Sequence, residues 1–164
     1  MIITTILFLV GTYDPTPAAA CEELSRIVRV LPDRLEVCEE IGAEAILQGV
    51  PVELAISLCW HESRFSKTAI SRAGARGPCQ VLPKYADCVA EARPCDWIEE
   101  GVLMMVRWAR RAFRIKGRRH VRDLDMLAMY HGGHSPPDQS YAYARKIMKM
   151  TKRLQKQTRT RTRQ

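Results

Sequence analysis

The spacing of apolar residues between glycines and prolines is the feature that most constrains how this chain folds. From Asp33 to Gly49, apolar side chains recur every three or four residues, which is the repeat of one face of an α-helix. Asp33 can cap the start of this helix, and Gly49 can end it. The same pattern predicts a second helix from Pro51 to Glu62.

Three further helices are predicted in the second half of the chain, over about residues 97–115, 122–130 and 139–154. Asp96 is placed to cap the first of them, and Gly117 to break it. Two segments rich in glycine and proline, residues 66–83 and 131–137, are predicted to be structured loops. No convincing strand pattern is present, so the predicted fold class is all-α, or mainly helical.

Most of the net positive charge lies at the end of the chain. The 164 residues include 26 Lys and Arg against 18 Asp and Glu, and residues 151–164 hold six basic residues and no acidic one. A second basic block spans residues 107–122. The length fits one domain, and the composition excludes a polytopic membrane protein and a low-complexity chain. A basic surface indicates a polyanionic partner, and composition alone leaves nucleic acid, anionic lipid and an anionic wall polymer open. We expect residues 151–164 to form a disordered basic tail.

The N-terminus carries the pattern of an export signal. Residues 1–10 are apolar and uncharged, and they are too few to span a bilayer, which takes about 20 residues. The small residues Ala18 and Ala20 then offer a cleavage site. We expect residues 1–20 to be a signal or export segment; the alternative is a buried first element of the mature protein.

The chain has six cysteines and no CxxC pair, so disulfides are a better expectation than a four-thiolate zinc site. Cys79, Cys88 and Cys95 lie within 17 residues, which predicts one local bridge. Cys38 and Cys59 are interpreted as small apolar residues on helix faces.

Glu62 is the first candidate for catalysis. It ends an apolar helix, with Leu58 and Cys59 one turn earlier on nearly the same face. Apolar neighbours disfavour the charged form of a carboxyl group and raise its pKa, which suits a general acid. A solvated glutamate at a helix end is the ordinary alternative.

Three motifs resemble those of the soluble lytic transglycosylase domain family. They are Glu62-Ser63, then Gly74-x-x-Gly77-x-x-Gln80, then Tyr130-x-x-Gly133, and the resemblance covers about residues 38–150. Tyr143 lies in a segment similar to the closing helix of that family. The sequence departs from the pattern at His131, where the family has Asn, at Pro78-Cys79 before the glutamine, and at His134-Ser135 after the tyrosine motif.

The resemblance implies a lysozyme-like domain, here residues 21–150, that cleaves peptidoglycan glycan strands between N-acetylmuramic acid and N-acetylglucosamine. It implies Glu62 as the acid and then the base, with Ser63 orienting the acetamido group. Gln80 and Tyr130 would line the cleft, Tyr143 would lie close by, and His131 can still donate a hydrogen bond to substrate. No cofactor or metal is implied, and the product would be an anhydromuramyl end. As a separate hypothesis, we expect Cys79, which departs from the family pattern, to pair with Cys88 or Cys95 and hold the loop over residues 66–83.

Other functions remain open at this point. A hydrolysing muramidase on the same fold would need a second carboxylate, for which Asp87, Asp96 and Asp138 are candidates. A non-catalytic glycan-binding or structural module of a phage or secretion apparatus is another alternative, and a basic nucleic-acid-binding protein is a third. His61, His131 and His134 match no zinc motif.

The expected location is the periplasm or cell envelope, by export or by delivery as a phage component. The expected partners are peptidoglycan strands, with an anionic polymer or membrane surface contacting the basic tail and no specific nucleic acid.

Overall fold

The computed structural model describes residues 16–116 and 123–161, and these residues form seven α-helices. In chain order they are α1 (Pro17–Ile27), α2 (Pro32–Gln48), α3 (Val52–Ser63), α4 (Asp87–Ala90), α5 (Trp97–Lys116), α6 (Asp123–Gly132) and α7 (Asp138–Arg161), with a 3₁₀ turn at Pro83–Tyr85 before α4. Over the same two ranges, extended pairing is limited to isolated bridges that join Arg76 to Ile70 and to Val81. The predicted all-α class is confirmed.

Helix α3 runs through the centre of the fold. Every residue from Val52 to Trp60 is buried, and α1, α2 and α7 all pack against this helix. A helix that is apolar on nearly all sides belongs in a core. Glu62 and Ser63 form its last positions, so α3 carries these two polar side chains from the core to its edge. No helix in the described part of the chain is long and apolar enough to cross a membrane.

The predicted end of α2 at Gly49 and the predicted start of α5 after Asp96 agree with the structure. The predicted Asp33 cap is wrong, because α2 begins at Pro32 after Leu31 and no described side chain caps it. Gly117, predicted to break α5, lies outside the described residues. Gly49 follows α2 in the left-handed conformation, with φ of 67°, which glycine adopts without steric cost. The Asp96 carboxylate accepts the backbone N–H of Ile98 at 2.8 Å and so caps α5 as predicted.

Helix α1 is an element that the apolar spacing did not predict. Its Pro17–Ala20 belong to the segment expected to be an export signal, while residues 1–15 of that segment lie outside the described residues. Ala20, Cys21 and Leu24 are buried, and α1 packs on α2. With eleven residues and few large apolar ones, α1 is too short to show a helical repeat in the sequence.

The predicted disorder after residue 150 is wrong for residues 151–161, because α7 continues to Arg161. Thr151, Leu154 and Thr158 are buried at helical spacing, and the Thr158 hydroxyl donates a hydrogen bond to Glu53 of α3 at 3.3 Å. Packing against α3 and α1 stabilises a segment whose own composition indicates a solvated chain.

The cysteines form three disulfides, Cys21–Cys38, Cys59–Cys79 and Cys88–Cys95. The last is the predicted local bridge. The interpretation of Cys38 and Cys59 as unpaired apolar residues is wrong, and so is the pairing of Cys79 with Cys88 or Cys95. The reason is packing between distant segments: α1 lies on α2, and the loop before Gln80 lies on α3.

Candidate active site

The site begins where α3 ends. Arg64 and Phe65 follow Ser63 with φ of 57° and 63°, two consecutive residues in the left-handed region. The Phe65 ring is fully buried and packs on the Trp60 ring with 5.3 Å between centroids. This packing holds a backbone conformation that non-glycine residues rarely adopt. The chain therefore turns sharply after Glu62 and Ser63 and leaves both side chains at the edge of the core.

The Glu62 carboxylate is mostly enclosed by protein. Burial raises its pKa to about 6, and a hydrogen bond from the Tyr143 hydroxyl acts in the opposite direction. Burial beside this carboxylate also raises the pKa of Tyr143, so the phenol stays protonated and donates. A carboxyl group with a pKa near neutrality can both give and take a proton.

Two histidine rings flank Tyr143. The His131 ring stacks on it with centroids 4.4 Å apart and 25° between planes, and the His61 ring meets it edge-on at 5.0 Å. His131 Nδ1 is hydrogen-bonded to the buried Ser140 hydroxyl at 3.0 Å. Gly132 permits this contact, because a Cβ there would lie 2.3 Å from the Ser140 Oγ. Residues of α3, α6 and α7 thus orient Tyr143 toward Glu62.

The loop that follows α3 is anchored through two successive carbonyl groups. The Ser63 hydroxyl donates to the Pro78 carbonyl at 2.7 Å, and the Tyr130 hydroxyl donates to the Cys79 carbonyl at 2.7 Å. The Gln80 side-chain amide donates to the carbonyl of Gly77 at 2.9 Å. We name residues 66–83 the cleft loop.

The Cys59–Cys79 disulfide joins the cleft loop to α3 one turn before Glu62. Two glycines permit the close packing that this needs. A Cβ at Gly101 of α5 would lie 2.6 Å from the Cys79 Cβ, and one at Gly77 would lie 2.3 Å from the Trp97 Cβ. Gly77 also has a φ of 74°, which favours glycine.

The structure brings the six predicted site residues into one connected region. They are Glu62, Ser63, Gln80, Tyr130, His131 and Tyr143. Glu62 and Tyr143 are in direct contact, and His131 reaches them through the Tyr143 ring. Ser63 and Tyr130 donate hydrogen bonds to the cleft loop instead, and Gln80 lies within that loop and donates to its Gly77 carbonyl. Sequence reasoning missed the structural parts played by Cys59 and Ser140, whose partners lie far away along the chain.

Two of the three other candidate carboxylates are engaged elsewhere, and the third, Asp138, is exposed at the start of α7. Asp87 forms an ion pair with Arg107 at 2.6 Å, and Asp96 caps α5. The fully buried Glu100 accepts the backbone N–H groups of Asp87 and Cys88 and fixes the start of α4. Across residues 16–116 and 123–161, no group of three or more His, Cys, Asp or Glu side chains is arranged to hold a metal ion.

Comparison with known families adds one finding. Residues 40–107 match the family model of the Transglycosylase SLT domain, and this range includes Glu62, Ser63 and Gln80. Tyr130, His131 and Tyr143 lie beyond the matched range. No curated protein and no solved structure matches the chain.

Proposed function

Because the chain contains a transglycosylase SLT domain with its lysozyme-like all-α fold, we propose that it is a peptidoglycan lytic transglycosylase. The family supports action on peptidoglycan. The finer proposal is cleavage of the bond from N-acetylmuramic acid to N-acetylglucosamine, with Glu62 as the only catalytic carboxylate. The main support for this role is the environment of Glu62, which is mostly enclosed by protein, has a pKa near 6 and accepts a hydrogen bond from Tyr143.

The proposed mechanism uses one carboxyl group twice. Protonated Glu62 gives its proton to the glycosidic oxygen as the bond to the anomeric carbon breaks, and the acetamido oxygen of the muramic acid stabilises that carbon. The carboxylate then takes the proton of the C6 hydroxyl of the same sugar as its oxygen attacks the anomeric carbon. The bond that forms closes a 1,6-anhydro ring, and Glu62 is protonated again. Tyr143 orients the carboxyl group throughout.

The positions of two of the three other candidate acids favour transglycosylation over hydrolysis. Ordinary glycosidases use two carboxyl groups flanking the bond. Asp87 is paired with Arg107 and Asp96 caps a helix, which leaves the exposed Asp138 as the remaining candidate for a second carboxylate. The substrate itself supplies the second nucleophile in the proposed mechanism, and no second carboxylate is needed.

The test is digestion of purified sacculi by the wild type, Glu62→Gln, and Glu39→Gln as an exposed control of the same chemistry. We expect anhydromuramyl ends from the wild type and the control, detected by mass spectrometry. Loss of a general acid lowers the rate by roughly 10²–10⁴-fold. Reducing ends would instead identify a hydrolysing muramidase. Release by neither the wild type nor the control would contradict the proposal of an enzyme.

We also propose that the protein acts outside the reducing cytoplasm, by export or delivery to the envelope. The three disulfides support this, because disulfides persist in oxidising compartments. Thiol labelling of protein from the native host under denaturing, non-reducing conditions is expected to find all six cysteines blocked. A reactive thiol at every cysteine would contradict the proposal.

A further part of the proposal is that the basic face of α7 holds the protein to an anionic polymer of the envelope. Arg145, Lys149, Lys152, Lys156 and Arg159 are exposed on one side of this helix, and no described carboxylate forms a salt bridge with them. Sacculus binding by Glu62→Gln should weaken steeply with salt. Replacing Lys149, Lys152 and Lys156 with Gln should remove most of that salt dependence; an unchanged dependence would exclude this face.

A further inference from the structure

Three aromatic side chains outside the Glu62 region form a second cluster, which we name the aromatic cluster. It consists of Tyr85 at the end of the 3₁₀ turn, Trp108 of α5, and His134 in the loop between α6 and α7. The Tyr85 and Trp108 rings meet edge-on with centroids 6.2 Å apart, and the Trp108 and His134 rings meet in the same way at 5.2 Å. Trp108 is therefore the shared support of two rings from separate loops.

The outer two rings of this cluster face solvent while the supporting ring does not. Trp108 is 6% exposed, whereas Tyr85 is 38% exposed and His134 is also exposed. The Lys84 ammonium lies 4.9 Å from the Tyr85 ring centre, and Arg107 donates a hydrogen bond to the Tyr85 carbonyl. Tyr85 is thus held in place at the surface, which lowers the entropy lost when a ligand packs on it.

The two exposed rings of the aromatic cluster belong to residues that closely follow candidate active-site residues along the chain. His134 follows His131 by three residues, and at roughly 3.6 Å per residue its Cα lies within about 11 Å of the His131 Cα. Tyr85 follows Gln80 by five residues, which places its Cα within about 18 Å of the Gln80 Cα. A glycan strand bound at Glu62 extends beyond the cleaved pair of sugars, so its neighbouring sugar residues can reach such distances.

We propose that Tyr85 and His134, supported by Trp108, bind an N-acetylhexosamine residue of the glycan strand next to the pair that is cleaved. Aromatic rings offer an apolar face with a polar edge, which suits a sugar ring with C–H groups on one face and hydroxyls around it. His134 stands where the family pattern has glycine or proline-glycine, so this surface belongs to this chain. The inference rests on the proposed function for the identity of the polymer.

Direct binding to the inactive Glu62→Gln protein tests the proposal, with the N-acetylglucosamine hexamer as the probe in isothermal titration calorimetry. Adding Tyr85→Ala or His134→Ala should weaken binding roughly 2–10-fold each, the range of single aromatic contacts. Tyr85→Phe keeps the ring and should bind nearly as tightly as its parent. Phe113→Ala is the matched control, because Phe113 is also an exposed aromatic residue of α5, at 42% exposure.

The outcomes separate this inference from the proposed function. Hexamer affinities of the two alanine variants equal to that of the Phe113→Ala control would overturn the inference, as would a parent protein that does not bind the hexamer. Sacculus digestion by the wild type tests the proposed function independently. Weakened binding with no digestion would keep the aromatic cluster as a glycan site and reject the enzyme. Thermal unfolding of each variant near that of its parent shows that the fold is retained.

Discussion

At the scale of single residues, the chemistry depends on how one carboxyl group is enclosed. Glu62 lies at the end of a buried helix, so burial favours its neutral form, while Tyr143 donates a hydrogen bond that favours the charged form. His131 and His61 hold the Tyr143 ring between them. The balance of these two effects leaves a pKa of about 6, which lets the group exchange a proton near neutral pH.

Tyr143→Phe should move the pH dependence of activity. The substitution removes the interaction that lowers the Glu62 pKa and leaves burial, which raises it, so the pKa should rise above about 6. A general acid must be protonated, and activity therefore falls as pH rises through its pKa. We expect the alkaline limb of the kcat/KM profile to move to higher pH, together with a lower maximum. A limb that moves to lower pH would contradict this account of the site.

Glu62→Gln should stabilise the protein at pH 8. Because the folded-state pKa is raised from 4.5 to about 6, the folded protein binds more protons between these values, and stability falls as pH rises through them. The penalty is complete above about pH 6 and amounts to about 2 kcal/mol at 1.36 kcal/mol per pKa unit. Glutamine, which carries no charge, avoids it.

Urea unfolding at pH 8 and pH 4 measures this difference. The stabilisation by Glu62→Gln should be largest at pH 8 and mostly absent at pH 4, where the wild-type carboxyl group is protonated in both states. Glu39→Gln should show no such pattern. A Glu62→Gln protein that is less stable than the wild type at pH 8 would mean that burial does not dominate the environment of Glu62.

At the scale of elements, the site is made where α3 meets the cleft loop. Ser63 and Tyr130 bind two successive carbonyls of that loop, and the Cys59–Cys79 disulfide joins it covalently to α3. The loop also has backbone hydrogen bonds of its own, among them the pair between Arg76 and Val81, so these external anchors fix its position on α3 and α6 rather than its internal conformation. Gln80, with a φ of 55°, is held within the loop by its side-chain hydrogen bond to the Gly77 carbonyl.

Cys59→Ala with Cys79→Ala should cost more stability than Cys88→Ala with Cys95→Ala. The chain-entropy estimate for closing a loop of 20 residues is about 3 kcal/mol, and it exceeds that for 7 residues by roughly 1 kcal/mol. The first pair should also reduce sacculus cleavage, because it frees the cleft loop near Gln80. Urea unfolding and product release measure both effects. Equal activity in the two double variants would show that the disulfide does not hold the site.

At the scale of the whole molecule, α7 connects the site to the far side of the core. Its first half contributes Tyr143 beside Glu62, and its second half buries Leu154 and Thr158 against the central helix and its neighbours. The exposed side of the same helix carries the basic residues. These basic residues therefore lie on the same helix that contributes Tyr143 to the site.

Leu154→Ala should destabilise the whole domain by about 2–5 kcal/mol, the usual cost of removing a large buried apolar side chain. Arg153→Ala, one residue away and exposed, should change the free energy of unfolding by less than about 0.5 kcal/mol. Denaturant unfolding of both variants measures the difference. If the two behave alike, residues 151–161 are not packed on the core.

The sequence by itself determined the helical class, the end of α2 at Gly49, the start of α5 after Asp96, and the choice of Glu62 as the candidate acid, because periodicity, caps and short motifs are local. Tertiary structure decided the partners of the cysteines, the continuation of α7 and the environment of Glu62. Cys59 meets Cys79, and Tyr143 meets Glu62, only after separate helices pack. A pKa depends on burial and on neighbours that are distant along the chain, and helix stability at residues 151–161 depends on contacts with α1 and α3. Such non-local contacts leave little trace in local spacing, so only the folded molecule reveals them.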